Sequence, residues 1–253
     1  MKPAPALVLG MRPNGLGIVR SLAGHGVPVD FADASLSMYG MHTRHGRRRL
    51  FRAMQGAPLI EDMLAIKGEF ASPPVVVMTR ENMVRTVSEY RAELEPHYRL
   101  HLAPHRQVLE LDEKNAFQAM AEAGGFPIPR ALALRPETDL AGLTGLRYPV
   151  ILKPAAKTRD YIARFRKVYK LDSAAEVERV YREARVCSPE MIVQEFIPGG
   201  DADIYFCLLF VSRDGPTHPA FVGRKLTLHP PELGTLTRAI PAPEAAAELT
   251  DTS

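Results

Sequence analysis

The chain has 253 residues, 46% of them apolar, enough for one large domain or two small ones with real cores. A net charge of +3 is too mild to announce a nucleic-acid or membrane surface, and no apolar run approaches the length of a membrane span. Cys187 and Cys207 form no metal-binding or redox pair and read as buried free thiols, which fits a reducing, cytoplasmic setting. The N-terminus shows no signal peptide, because the stretch from Ala4 is punctuated by Pro5 and stopped by Arg12 and Pro13.

The first predicted strand is Ala6 to Leu9, followed by a glycine-rich turn over 10–17 and a helical pattern from Ile18 to His25. Gly26 to Asp33 supplies a second strand, Pro73 to Met78 a third, and Glu81 to Leu94 an amphipathic helix. Residues 1–105 therefore read as a small doubly wound, Rossmann-like domain with a parallel sheet. The turn spells Gly10-x4-Gly15-x-Gly17, which is neither a dinucleotide fingerprint nor a Walker loop, although Asp33 lies at a ribose-like distance along the chain. It reads as a structural turn ahead of a cofactor site.

The cluster His42, Arg44, His45, Arg47, Arg48, Arg49 and Arg52 lacks interleaved aromatics and reads as a solvated loop rather than a nucleic-acid surface. His97, His101 and His105 recur every four residues, but Pro96 and Pro104 argue against one helix presenting them to a metal.

Past Pro104, Asp112 is a candidate N-cap for a helix from Glu113 to Ala123 that ends at Gly124-Gly125. Lys114 in its first turn opposes the helix dipole unless an anion is near. Tyr148-Pro149-Val150-Ile151-Leu152-Lys153-Pro154 and Met191-Ile192-Val193-Gln194-Glu195-Phe196-Ile197-Pro198-Gly199-Gly200 each read as a short buried strand ending in a charged residue. A lysine and a glutamate delivered this way suit a flat, hydrogen-bonding, anionic ligand such as ATP.

Between them, Lys153, Lys157, Arg159, Arg164, Arg166, Lys167 and Lys170 face one acid, Asp160, so this hairpin reads as a phosphate-facing flap or as a solvated basic face. Ser173 and Glu176 stand in capping-box spacing ahead of a helix to Arg185. Ile204 to Ser212 reads as a strand closing at Arg213-Asp214-Gly215. It makes a hairpin with the preceding strand, with Glu195 at one end and Asp201 and Asp203 at the turn. Arg224 and Lys225 lie on a further strand that starts near Ala220, and Pro241 to Leu249 reads as the opening of a helix.

Taken in order, Leu111-Asp112-Glu113-Lys114, Gly125-Phe126-Pro127-Ile128-Pro129, the motifs around Lys153 and Glu195, and Gly223-Arg224-Lys225 resemble the ATP-grasp superfamily, most closely its carboxylate-amine ligase branch. The resemblance implies a Rossmann-like pre-ATP-grasp domain over 1–105, then an incomplete α+β ATP-grasp domain. Its small subdomain with the flap would span 106–190, and its C-terminal subdomain would begin at 191 and be cut short by 253.

It also implies roles. Lys114, Lys153 and the flap's Lys167 would meet the ATP phosphates. Gln194 and Glu195 would border the adenine, with Glu195 accepting from its amino group and the backbone of Phe196 and Ile197 completing the edge. Asp203 or Asp201 would take the ribose hydroxyls. Arg224 and Lys225 would be catalytic, stabilising charge on the phosphoryl group in transit. The magnesium that accompanies ATP in the family would be held by acidic and asparagine ligands beyond this sequence, so no metal ligand is assigned. The implied reaction activates a carboxylate as an acyl phosphate for attack by an amine, in a cytoplasmic enzyme with small-molecule substrates, no nucleic-acid or membrane partner, and room for a homodimer. A noncatalytic ATP-binding or regulatory subunit and an oxidoreductase using the glycine turn are the alternatives.

Overall fold

The computed structural model describes residues 3–156, 158–210 and 221–251. They fall into two compact units, Met1–Gly125 and Phe126–Ser253.

The first unit runs β1 (Ala6–Leu9), α1 (Pro13–Gly24), β2 (Val29–Asp33), β3 (Arg47–Leu50), α2 (Gly56–Ile66), β4 (Val75–Met78), α3 (Glu81–Glu89), α4 (Arg91–Leu94), α5 (His105–Asp112) and α6 (Lys114–Ala123). Its four strands pair in parallel in the order β3-β2-β1-β4. Both β1 and β2 are buried along their whole length, as a parallel sheet covered on two faces requires. Alternation along β1 explains how the core divides. Leu7 and Leu9 join Leu59, Met63, Met83 and Val87 on one face, while Val8 joins Val19, Phe31 and Met41 on the other. Burying each of these large side chains contributes about 1.5–3 kcal/mol.

The basic stretch expected to be a solvated loop instead contains an edge strand. β3 pairs with β2, Asp30 facing Arg47 in register. Arg47 and Arg49, two residues apart and thus on one face, reach Asp30 at 2.9 and 2.8 Å and Glu69 at 3.0 and 2.7 Å. Arg52 pairs with Glu61 and Asp62. The counter-ions come from elements far along the chain, so charge density alone misread the segment.

The helix expected from Glu81 to Leu94 breaks at Tyr90, and the guanidinium of Arg91 donates to the carbonyls of Leu102 and Ala103. Farther on, the cap of α6 is Glu113 rather than Asp112. The Glu113 carboxylate accepts from Asn115 N and Ala116 N at 3.0 and 2.6 Å, while Asp112 ends α5 and pairs with Arg85.

The second unit continues with β5 (Ala131–Leu134), β6 (Val150–Pro154), α7 (Arg159–Arg164), β7 (Tyr169–Leu171), α8 (Ala174–Ala184), β8 (Met191–Glu195), β9 (Tyr205–Leu208), β10 (Phe221–His229), β11 (Thr235–Pro241) and α9 (Ala246–Asp251). One antiparallel sheet has the order β5-β8-β6-β7, and the amphipathic α8 contributes Val177, Val180, Tyr181 and Ala184 to the core it shares with Val150, Leu152 and Val193. Ser173 caps α8 as expected, accepting from Glu176 N, while Glu176 reaches back to Asp172 N, one residue short of a full capping box.

β8 and β9 do not form the expected hairpin. Both edges of β8 are already filled by β5 and β6, so β9 pairs with β10 in a separate sheet of order β11-β10-β9. The end of that expected hairpin, at Ser212, Arg213, Asp214 and Gly215, lies outside the described residues, as do Lys157 of the flap and Ala220. The flap itself carries α7, capped by Thr158 and pinned by Tyr161, which is 1% exposed in the core. Cys187 and Cys207 are free and half-buried. No helix among the described residues is long and apolar enough to cross a membrane.

Candidate functional site

The irregular segment Phe196–Gly200 and the short 3-10 turn Asp201–Asp203 carry the chain from one sheet of the second unit to the other. They wrap a cavity of about 440 Å³. Gln194, Glu195, Phe196, Ile197, Asp201 and Asp203 line it, six residues that the sequence assigned to nucleotide binding. Tyr205 and Leu233 add walls that carried no sequence signal of their own, Pro129 and Ile151, from the matched Gly125–Pro129 and Tyr148–Pro154 motifs, add others, and Glu232 completes them.

Strand register decides which way the two charged strand ends point. β6 and β8 are antiparallel with Ile151 opposite Gln194, Lys153 opposite Ile192 and Val150 opposite Glu195. Residues directly opposite share a face, and faces alternate along each strand. Lys153 therefore stands on the cavity face with Ile151 and Gln194, and its Nζ donates to Gln194 Oε1 at 3.0 Å. Glu195 stands on the other face, 4% exposed beside the core. Its carboxylate is held by Arg147, which donates from its main-chain N to Oε1 at 3.0 Å and from Nε and a terminal guanidinium nitrogen to Oε2 at 3.0 and 2.8 Å. Arg147 escaped the sequence reading. Its only signal was being a cation just ahead of the Tyr148-Pro149 strand.

These bonds favour the ionised acid, so the side-chain hydrogen bonds of Arg147, and next its main-chain N–H, hold the Glu195 carboxyl below the usual glutamate range. A depressed folded value means the contribution to stability is complete above the unfolded-state value, about 4.3, and is lost as pH falls through the lower folded one. Thermal melts on acidification should therefore show the wild type losing more stability than Glu195→Gln. Parallel curves for the two proteins would rule the coupling out.

The two candidate ribose acids are placed differently. Asp201 is built into the scaffold, its Oδ2 accepting from Leu228 N at 2.7 Å and its Oδ1 from Glu232 N at 2.8 Å. Asp203 is exposed, and its Oδ2 accepts from Gly200 N at 2.8 Å. Lys170 does not line the cavity, but its Nζ sits 4.1 Å from the centre of the Phe196 ring and 2.8 Å from Glu232 Oε2, two residues that do. Lys167 is exposed in the segment between α7 and β7 and does not line the cavity.

Arg224 and Lys225 are successive residues of β10 and point to opposite faces. The Arg224 guanidinium donates to the carbonyl of Ala202 and lies 5.6 Å from the ring of Tyr205, so it braces the turn that carries Asp201 and Asp203. Lys225 is half-buried.

In the first unit, Lys114 is the first residue of α6. The glycine turn there is packed against protein. Gly10 has φ +91°, and Thr79 Oγ1 lies 2.3 Å from where its Cβ would stand. Asp33 has its carboxylate turned inward, accepting from Met11 N and Ala34 N at 2.8 Å each, so the acid at ribose spacing is committed to the turn itself.

No protein-family profile matches the chain. Among curated proteins, a D-aspartate ligase of Enterococcus faecium (strain Aus0004) is 26% identical over 186 residues, 68% of this chain and 44% of the relative. The N5-carboxyaminoimidazole synthetase of Staphylococcus aureus, solved with ADP, superposes with a TM-score of 0.69 at 13% identity over 98% of this chain and 61% of its own. An L-amino acid ligase of Bacillus licheniformis gives 0.62 at 17% identity, covering 89% of this chain and 51% of its own. The chain thus spans less than half of the curated relative and between half and two thirds of these solved neighbours. The parallel sheet of the first unit, the two antiparallel sheets of the second and these superpositions agree on one architecture: the chain has the ATP-grasp fold seen in carboxylate-amine ligases.

Proposed function

We propose that the chain binds ATP in the cavity of the second unit and serves a ligase that activates a carboxylate as an acyl phosphate for attack by an amine. The observation that carries this reading is the convergence of Gln194, Glu195, Phe196, Ile197, Asp201 and Asp203 on one cavity. The adenine lies against the main chain of 195–197, because the Glu195 side chain is spent on Arg147. Lys170 and Phe196 close over the base, and Asp203, not Asp201, takes the ribose hydroxyls. Lys153 and the flap's Lys167 meet the phosphates as flexible donors. Arg224 positions the ribose turn, and Lys225 offers charge to the phosphoryl group in transit. Lys114 keeps its phosphate role from the family resemblance alone. The D-aspartate ligase makes D-aspartate the first amino acid to test.

Magnesium, the usual companion of ATP in this family, finds no donor set here. Among the described residues no three His, Cys, Asp or Glu side chains converge, and both oxygens of Asp201 are already taken by main-chain N–H groups. No protein ligand for the ion is therefore assigned, and the charge stabilisation given to this chain's residues is that of lysine and arginine.

Calorimetric titration tests the reading. ATP should bind about tenfold or more tighter than GTP, whose exocyclic groups mismatch an adenine edge. Lys153→Ala should weaken ATP by about tenfold and leave adenosine unchanged. Equal binding of ATP and GTP, or no binding of either, would overturn it.

A further inference from the structure

Among the described residues, Glu232 in the β10–β11 turn is the one non-glycine residue with a left-handed backbone, at φ +64°. A glycine would adopt that conformation without the crowding a Cβ brings, so a side chain held there points to a use for it. The turn cannot relax around it. Leu233 N donates to Pro231 O at 2.8 Å, and a Cβ at Gly234 would stand 2.1 Å from Pro230 O. Asp201 Oδ1 fixes the Glu232 main-chain N–H at 2.8 Å, and the Glu232 carboxylate accepts from Lys170 Nζ at 2.8 Å. Strand register shows where that lysine comes from. On β7, Lys170 lies opposite Ile151, which lies opposite Gln194 on β8, so the three form one row on one face. Gln194 and Ile151 line the cavity, while the Lys170 ammonium leaves the row to sit 4.1 Å from the centre of the Phe196 ring. A lysine side chain is flexible and strongly hydrated, and here it is only 32% exposed. Two contacts hold it in, the ring that follows β8 and the carboxylate that arrives from the other sheet.

We propose that Glu232 is a positioning residue of the nucleotide cavity: it holds the Lys170 ammonium against Phe196, ties β7 to the β10–β11 turn, and so slows the exit of the bound base. The slowed exit rests on nucleotide binding in this cavity, but the tie between the two sheets does not. The effect is that of a partly exposed ion pair, so losing it should change rates by about two- to fivefold.

The test compares Glu232→Gly, Glu232→Ala and Lys170→Met in the full chain. Both Glu232 variants lose the carboxylate, but only glycine relieves the backbone, so Glu232→Gly should melt higher than Glu232→Ala and close to the wild type. Stopped-flow displacement of bound ATP should nevertheless show both releasing it about two- to fivefold faster than the wild type, as Lys170→Met does. Combining Glu232→Gly with Lys170→Met should add nothing to the release rate of Lys170→Met alone. Without nucleotide, amide hydrogen exchange over residues 196–203 should quicken by a similar factor in Glu232→Gly and Lys170→Met. Release rates that follow melting temperature, with Glu232→Gly behaving as the wild type, would reduce Glu232 to a structural role and overturn the proposal. Bound ATP whose release is unchanged in all three variants sinks this proposal and leaves the nucleotide site standing. A wild type that binds no ATP sinks the nucleotide reading, and exchange then decides the tie: quickened exchange upholds it and unchanged exchange removes it too.

Discussion

Replacing Gly15 by alanine is expected to destabilise the first unit by about 3 kcal/mol or more, since overpacking against fixed backbone costs more than a flexible side chain can absorb. A Cβ at Gly15 would stand 1.9 Å from the carbonyl oxygen of Gly10 and 3.0 Å from its carbon. The turn cannot recede. Thr79 Oγ1 donates to the carbonyls of Leu9 and Gly10 at 2.9 and 3.1 Å, and Asp33 holds Met11 N from beneath. Gly17, two residues on, is the control: nothing lies within 4 Å of its Cβ position, and Gly17→Ala within α1 should be neutral or stabilise by up to about 1 kcal/mol. Urea unfolding of both variants checks this. Similar midpoints for Gly15→Ala and the wild type would show that the turn is looser than its contacts imply.

Asp201→Ala and Asp203→Ala are expected to fail in opposite ways. Asp201→Ala removes the acceptor of Leu228 N and Glu232 N and should cost about 2 kcal/mol of stability, because two main-chain donors lose their partner at once. Asp203→Ala removes an exposed side chain with one local bond to Gly200 N, so its melting temperature should stay close to that of the wild type. Under the proposed function its ATP affinity should nevertheless fall about tenfold or more, with the loss carried by the ribose hydroxyls. Measuring 2′-deoxy-ATP alongside ATP makes the assignment specific: the wild type should distinguish the two and Asp203→Ala should not. Full discrimination retained by Asp203→Ala would move the ribose contact elsewhere.

Much of the fold was legible where local pattern and tertiary environment agree. Ala6–Leu9, Val150–Pro154 and Met191–Glu195 are short apolar runs that become strands, and Ser173 caps the helix it precedes. Pattern failed where the partner is distant. Arg47–Leu50 reads as solvated charge, yet it is a strand because Asp30 and Glu69 neutralise it from other elements and β2 supplies its hydrogen bonds. The expected hairpin of β8 with β9 failed for a similar reason, since nothing local records that both edges of β8 are already occupied.

The candidate site divides the same way. By itself the sequence determined that the run from Gln194 to Asp203 stays together at the cavity, because it is continuous and punctuated by Pro198, Gly199 and Gly200, but not the walls that Tyr205 and Leu233 add. Only the tertiary structure decided what each does. A β-strand alternates faces with a period of two, so a shift of one residue in the β6–β8 register would exchange every inward and outward side chain. That register sends Lys153 to the face shared by Ile151 and Gln194, though not into the cavity lining, and Glu195 to Arg147 on the opposite face, and the β10–β11 turn, brought back over the 3-10 turn, spends Asp201 on the scaffold and leaves Asp203 exposed at the cavity.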